Sequence, residues 1–191
     1  MRSAARPHLL GIDDGPFARR AGERDVAVVA VMMEGADLVE GVATTRFAID
    51  GDDATGFLAR WIGSLRFQRA TQGIVLGGIT IAGLGVVDVP ALAAATARPV
   101  LILNRFDPTN HRLAGALAAA GLHERLALVE RCPPARPLAE GGPWLACSGI
   151  QFAVAADWAL RACRKARLPE PLRLAHLFAR AMTTGQSRGR A

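Results

Sequence analysis

An α/β fold with a mixed sheet is what this sequence predicts: an antiparallel three-strand meander followed by parallel strands and flanked by helices. Three observations carry that expectation. The opening stretch holds three apolar or β-branched runs joined by short connections. Beyond it, helical spacing alternates with short Val/Ile/Leu runs. No repeat or low-complexity linker divides the 191 residues. A chain of this length buries one sizeable core, so a single domain spanning 1–191 is expected, with residues 183–191, rich in Arg, Gly and Ser, as a frayed tail.

The first strand is "HLLGIDD", an apolar run closed by Asp13 and Asp14. The second, "DVAVVAVMM", is an unbroken Val/Ala run, which implies burial on both faces. "GVATTRFAID" supplies the β-branched third, and the short connections make the trio antiparallel. Asp52 or Asp53 then caps a helix with Phe57, Leu58, Trp61, Ile62 and Leu65 on one face. "GIVLGGIT" reads as a strand, "VPALAAATA" as a helix capped by Asp88 with Pro90 in its first turn, and "PVLILN" as another strand. Asp107 and Pro108 open a further helix that leaves at Gly121, and "RLALVERC" reads as a strand. Past a Pro-rich loop at 133–143, "WLACSGI" is a short strand. "QFAVAADWALRACRKARL" is a helix with Asp157, Arg161 and Lys165 as its wet stripe and Phe152, Ala155, Ala159 and Cys163 inward. The last helix begins at Pro171 and packs Leu172, Ala175, Ala179 and Met182, with Arg173, His176 and Arg180 opposite.

Composition narrows the function classes only modestly. The net charge of +6 suits a polyanionic partner, but Lys165 is the sole lysine among many arginines, a pattern that genome-wide bias also produces. Three widely spaced cysteines without a C-x-x-C pair support neither a disulfide framework nor a cysteine zinc site, which fits a reducing cytoplasm. No apolar run reaches the length of a membrane span or a signal core, so an unexported protein with no membrane partner is expected. "GGITIAGLG" lacks both the G-x-G-x-x-G order and a Lys-Ser/Thr ending, which argues against a nucleotide cofactor. No G-x-S-x-G or Cys-His nucleophile is present, and His8, His111 and His123 show no ligand spacing.

Mixed sheets of this kind bind ligands outside the carboxyl ends of their strands. Asp13, the glycines from Gly77 to Gly85, and Asn104-Arg105 fall at such ends. Charges at the end of a buried strand call for partners, and a cation is one. Adjacent strand residues point to opposite faces, so Asp13 and Asp14 cannot aim at one point from a regular strand. The ordinary alternative is a turn, in which Asp14 organises Gly15-Pro16 through backbone hydrogen bonds.

Three segments in order, "GIDDGPF", "LGGITIAGLGVVD" and "PEPLRLAH", resemble the endonuclease dU family over roughly residues 8–180. The resemblance implies a ribonuclease H-like, endonuclease V-like fold. It also implies a metal-dependent endonuclease acting on DNA that contains deoxyuridine or another deaminated base, with Mg²⁺ or Mn²⁺ as cofactor. Asp13 matches the family's first-strand "G-x-D" acid and becomes the metal ligand, with Asp14 as a second. Arg105 stands where such proteins carry a basic residue near the scissile phosphate. Phe17, Gly78, Arg173 and His176 are candidate substrate contacts, and Asp88 or Glu170 could complete the metal site, although both also suit helix starts. The chain departs from the family pattern at Gly77, where relatives usually read "LDGIT", and at Leu84-Gly85, where they read "FN". Loss of that second acid raises an alternative: a catalytically degenerate nuclease fold that binds nucleic acid or a protein partner.

Overall fold

The computed structural model of the chain describes residues 6–17, 23–108 and 112–187. Its leading strands are β1 (His8–Asp14), β2 (Asp25–Glu34) and β3 (Leu38–Ala48), paired antiparallel as expected. Every residue of β2 from Val26 to Met33 is buried, the outcome its unbroken Val/Ala run foretold. The alternating β3 forms one edge of the sheet with much of its surface in solvent.

Helix α1 (Ala54–Ser64) is capped by Asp53, whose carboxylate accepts the Gly56 N–H at 2.9 Å. Asp52 instead pairs with Arg125. Strand β4 (Gly73–Leu76) runs parallel to β1, and it stops four residues sooner than "GIVLGGIT" suggested. The chain bends through 77–79 into a small hairpin of β5 (Thr80–Ile81) and β6 (Gly85–Val86). Helix α2 (Val89–Thr96), capped by Asp88, leads to β7 (Val100–Asn104), which lies parallel to β4.

Helix α3 (Arg112–Ala119) follows a turn at Pro108, and the intervening residues 109–111, His111 among them, lie outside the described residues. The segment read as the strand "RLALVERC" is instead a 3₁₀ turn (His123–Arg125) continued by α4 (Leu126–Glu130). A short apolar run suits strand or helix equally, and here Arg125 decides. Arg125 is 3% exposed, and its guanidinium donates to the carbonyls of Asp50 and Leu84 at 2.9 and 2.7 Å, which ties this segment to the turn of the hairpin rather than to a sheet edge. Strands β8 (Arg136–Pro137) and β9 (Trp144–Ser148) close the far edge, with β9 antiparallel to β7. The parallel part of the sheet is therefore β1, β4 and β7 alone, within the order β3-β2-β1-β4-β7-β9-β8.

Helices α5 (Phe152–Arg161) and α6 (Glu170–Thr184) cover one face. Asp157 and Arg161 pair across one turn of α5 at 2.8 Å, while Lys165 and the half-buried Cys163 lie beyond its end. Period-two alternation sorts the strands into two cores. Leu10, Ile12, Ile74, Leu76, Val100 and Ile102 pack under α1 and α2. Leu9, Val75, Leu101 and Leu103 pack under α5 and α6, with Val29, Val31 and Met33 meeting Ala175 and Ala179 of α6. Met182, expected to pack, is 53% exposed one turn from the end of α6, which continues to Thr184 and closes at Gly185. No described helix is long and apolar enough to cross a membrane.

Gly11 sets how closely α6 lies on β1. A Cβ there would overlap the Pro171 carbonyl and the Leu172 amide, so helix backbone touches strand backbone with no side chain between. Gly11→Ala should therefore lower unfolding free energy by about 3 kcal/mol or more in urea titration. Gly115→Ala on α3, where an added methyl meets nothing within 4 Å, should be neutral or stabilising by about 0.5–1 kcal/mol.

Candidate active site

At the carboxyl end of β1 the two acids diverge, as strand alternation requires. Asp13 faces α6, and its Oδ2 lies 2.8 Å from His176 Nδ1. Its other oxygen accepts the Asp14 N–H at 3.0 Å. Asp14 faces the opposite core, where its Oδ2 accepts the Ala82 N–H at 3.1 Å. Ala82 sits at φ +52°, a left-handed conformation rare for alanine, at the turn of the small hairpin. Both acids nevertheless line one cavity of about 220 Å³ with Ile12, Leu76, Gly77, Gly78 and Thr80, because β4 ends at Leu76 and leaves the space beside them open.

Burial pushes the Asp14 carboxyl up to about 6 from 3.8, and the negative charge of Asp13 adds to the rise. Hydrogen bonds from Ala82 and from its own backbone, and the nearby His176, oppose it. Excess negative potential in a small cavity of hard oxygen donors fits a hard divalent cation, which would relieve both causes of the shift. Among the described residues, two carboxylates line it. Among the described residues, the one trio able to converge on an ion is His8, Glu34 and Glu40, at the other end of β1. Gly77 has room for a side chain: a Cβ there would meet only Leu172 Cδ1 and Cδ2 at 3.7 and 4.0 Å, on the α6 side where Asp13 and His176 meet.

A second cavity of about 640 Å³ adjoins the first and shares Gly77, Gly78 and Thr80 with it. Ile79, Leu113, Val129 and Pro133 give it apolar walls, and Asn104 and Arg105 stand at its rim on the end of β7.

Of the residues singled out from sequence, the structure gathers Asp13, Asp14, Gly78 and His176 at one place, with Arg105 exposed on the adjoining cavity. Four lie elsewhere. Asp88 caps α2 through the Ala91 N–H at 3.0 Å and pairs with Arg131 at 2.9 Å. Glu170 is 4% exposed and is held by Arg173 at 2.6 Å, so neither acid faces the cavity and the Arg173 guanidinium is turned to its own helix. Phe17 packs half-buried against the α1/α2 core and lines neither cavity. The His176–Asp13 contact escaped sequence reasoning, which put His176 on a wet face; it lies four residues beyond Leu172, on the side of α6 that meets β1.

The model of the endonuclease dU family matches residues 6–183. The chain belongs to the endonuclease dU family. Its relatives include a UPF0215 protein of Methanothermobacter thermautotrophicus, 34% identical over 191 residues, with 96% of this chain and 91% of that one covered. A UPF0215 protein of Deinococcus radiodurans is 35% identical over 184 residues, covering 95% and 92%. A solved protein of unknown function from Archaeoglobus fulgidus superposes with a TM-score of 0.84 at 29% identity, over 93% of this chain and 98% of that one. The catalytic domain of human endonuclease V gives a TM-score of 0.58 at 16% identity, covering 94% and 83%. Endonuclease V of Ciona intestinalis, in complex with a 24mer DNA containing an inosine followed by a ribo-adenosine, gives 0.58 at 13%, covering 94% and 87%. The fold of this family member is thus ribonuclease H-like, of the endonuclease V kind.

The raised Asp14 carboxyl has a signed consequence for stability. Well below pH 4 the group is protonated whether the chain is folded or not; between about pH 4 and 6 the unfolded chain ionises while the folded one holds its proton, so stability falls as pH rises and the loss is complete above about 6. In metal-free buffer Asp14→Asn should match wild type well below pH 4 and exceed it by about 2 kcal/mol at pH 7.5 in denaturant titration. Millimolar Mn²⁺ should close that gap by stabilising wild type alone.

Proposed function

We propose that this member of the endonuclease dU family is a divalent-metal-dependent endonuclease that nicks DNA at deoxyuridine or another deaminated base. The observation that carries the reading is the pair of β1 acids in a small cavity that adjoins a larger one of about 640 Å³, roomy enough for a nucleotide. Asp13 and Asp14 would hold Mg²⁺ or Mn²⁺ from the two sides of the sheet. Bound there, the cation would polarise the scissile phosphodiester and lower the pKa of a water. His176 keeps the Asp13 carboxylate turned to the cavity mouth through the 2.8 Å contact, and the Ala82 amide does the same for Asp14 at 3.1 Å. Arg105, exposed beside the larger cavity, offers a guanidinium to backbone phosphate. Glycines at 77 and 78 let the nucleic acid approach the β4 turn closely.

Two carboxylates and solvent hold Mg²⁺ weakly, so substrate phosphate oxygens would complete the coordination shell. Metal and DNA should accordingly bind with mutual support. A second reading is favoured by Gly77 alone: a nuclease fold that has lost its reaction and retains nucleic-acid or partner binding.

Labelled duplexes with and without deoxyuridine, incubated with Mg²⁺ or Mn²⁺, distinguish the two. Wild type should nick the deoxyuridine duplex. Asp13→Ala should lose at least about a hundredfold in rate, and His176→Ala about tenfold to a hundredfold. Gly77→Asp should lower the metal concentration needed for half-maximal cleavage. Nicking by Gly77→Asp and not by wild type would establish the degenerate reading, and cleavage that persists in Asp13→Ala would refute the site.

A further inference from the structure

Asn104 is a polar side chain at the rim of the larger cavity that the nuclease reading leaves without a role. It ends β7 on the same face as Val100 and Ile102, and that alternation turns its carboxamide toward the cavity. The carboxamide is half-buried and hydrogen-bonds to no other described residue. Its Oδ1 stands near the 77–78 turn that separates the two cavities, 3.8 Å from where a Cβ on Gly78 would lie. Apolar walls at Ile79, Leu113, Val129 and Pro133 give a flat heterocycle surfaces to rest on and no competing polar groups on those sides. An amide left free in such a place favours a ligand that brings its own donor and acceptor side by side.

We propose that Asn104 reads the imide edge of a single base turned out of the duplex into this cavity. This rests on the nuclease reading above and adds the residue that recognises the base. Deamination replaces an exocyclic amino group by a carbonyl and places a proton on the neighbouring ring nitrogen. The product edge is a carbonyl beside an N–H, and a carboxamide meets it with two bonds: its NH₂ donates to the base carbonyl, and its Oδ1 accepts from the ring N–H. Rotation of the same carboxamide would also suit cytosine. Preference for the deaminated base then comes from the duplex, because a mismatched base leaves its partner at lower cost than a paired one. Asn104 supplies affinity for the edge, and mispairing supplies the choice.

The test uses the whole chain and three duplexes: deoxyuridine, N3-methyldeoxyuridine, whose methyl group removes the ring N–H, and an undamaged control. Binding is read by fluorescence anisotropy with Ca²⁺ in place of Mg²⁺, and nicking is read separately with Mn²⁺. Wild type should bind the deoxyuridine duplex about tenfold to a hundredfold more tightly than the N3-methyl duplex. Asn104→Ala should lose about the same factor on deoxyuridine and then show no further loss on methylation. Asn104→Asp, of nearly the same shape, removes the donor and should lose as much, with both variants melting close to wild type. Asn104 has no such role if either variant binds deoxyuridine as tightly as wild type, or if methylation costs a variant what it costs wild type. Wild-type nicking of deoxyuridine would survive that failure intact. Absence of both nicking and deoxyuridine preference in wild type would bring down the nuclease reading and this inference together.

Discussion

A β-strand turns successive side chains to opposite faces, and β1 ends in two acids. That geometry forces the site to be built from both layers of the domain at once. Asp13 takes its partner from α6 and Asp14 from the hairpin below α1 and α2, so each carboxylate is held by a different side of the fold. They face a common space because β4 ends at Leu76. A cation between them would be gripped from both layers, which makes the end of β1 sensitive to any shift of one layer against the other.

The position of α6 is fixed by the same strand. Gly11 lets helix backbone rest on strand backbone, and the two run in the same sense: Gly11 lies against Pro171 and Leu172, Asp13 against His176, Gly15 against Ala179 and Thr183. Two strand residues rise roughly 6.6 Å and four helix residues roughly 6 Å, so contact at Gly11 and Leu172 carries forward to Asp13 and His176. The glycine that sets the packing distance also sets the reach of the histidine.

Much of this was legible in the sequence and some was not, for identifiable reasons. The meander showed because β2 is an unbroken apolar run and β3 alternates, and Asp13 stood out as a charge closing a buried strand. The 125–132 segment misled because a short apolar run does not choose between helix and strand; the choice was made by Arg125 reaching the carbonyls of Asp50 and Leu84, residues distant in sequence. Glu170 and Arg173 looked available to metal and DNA because each bears a charge on an outer helix. In the folded chain they neutralise one another at low exposure. The cavity shared by Asp13 and Asp14 could not be read from alternation, since it depends on where β4 breaks and on the backbone of Ala82.

Gly77 adds no acid beside Asp13 on the α6 side of the cavity, and Asp14 carries a raised proton affinity. The account therefore stands on a cation at the end of β1. Anomalous scattering from crystals soaked in millimolar Mn²⁺ tests it most directly. An ion beside both Asp13 and Asp14, absent in crystals of Asp13→Ala, is the predicted result. Manganese found only at His8, Glu34 and Glu40, or nowhere, would contradict it.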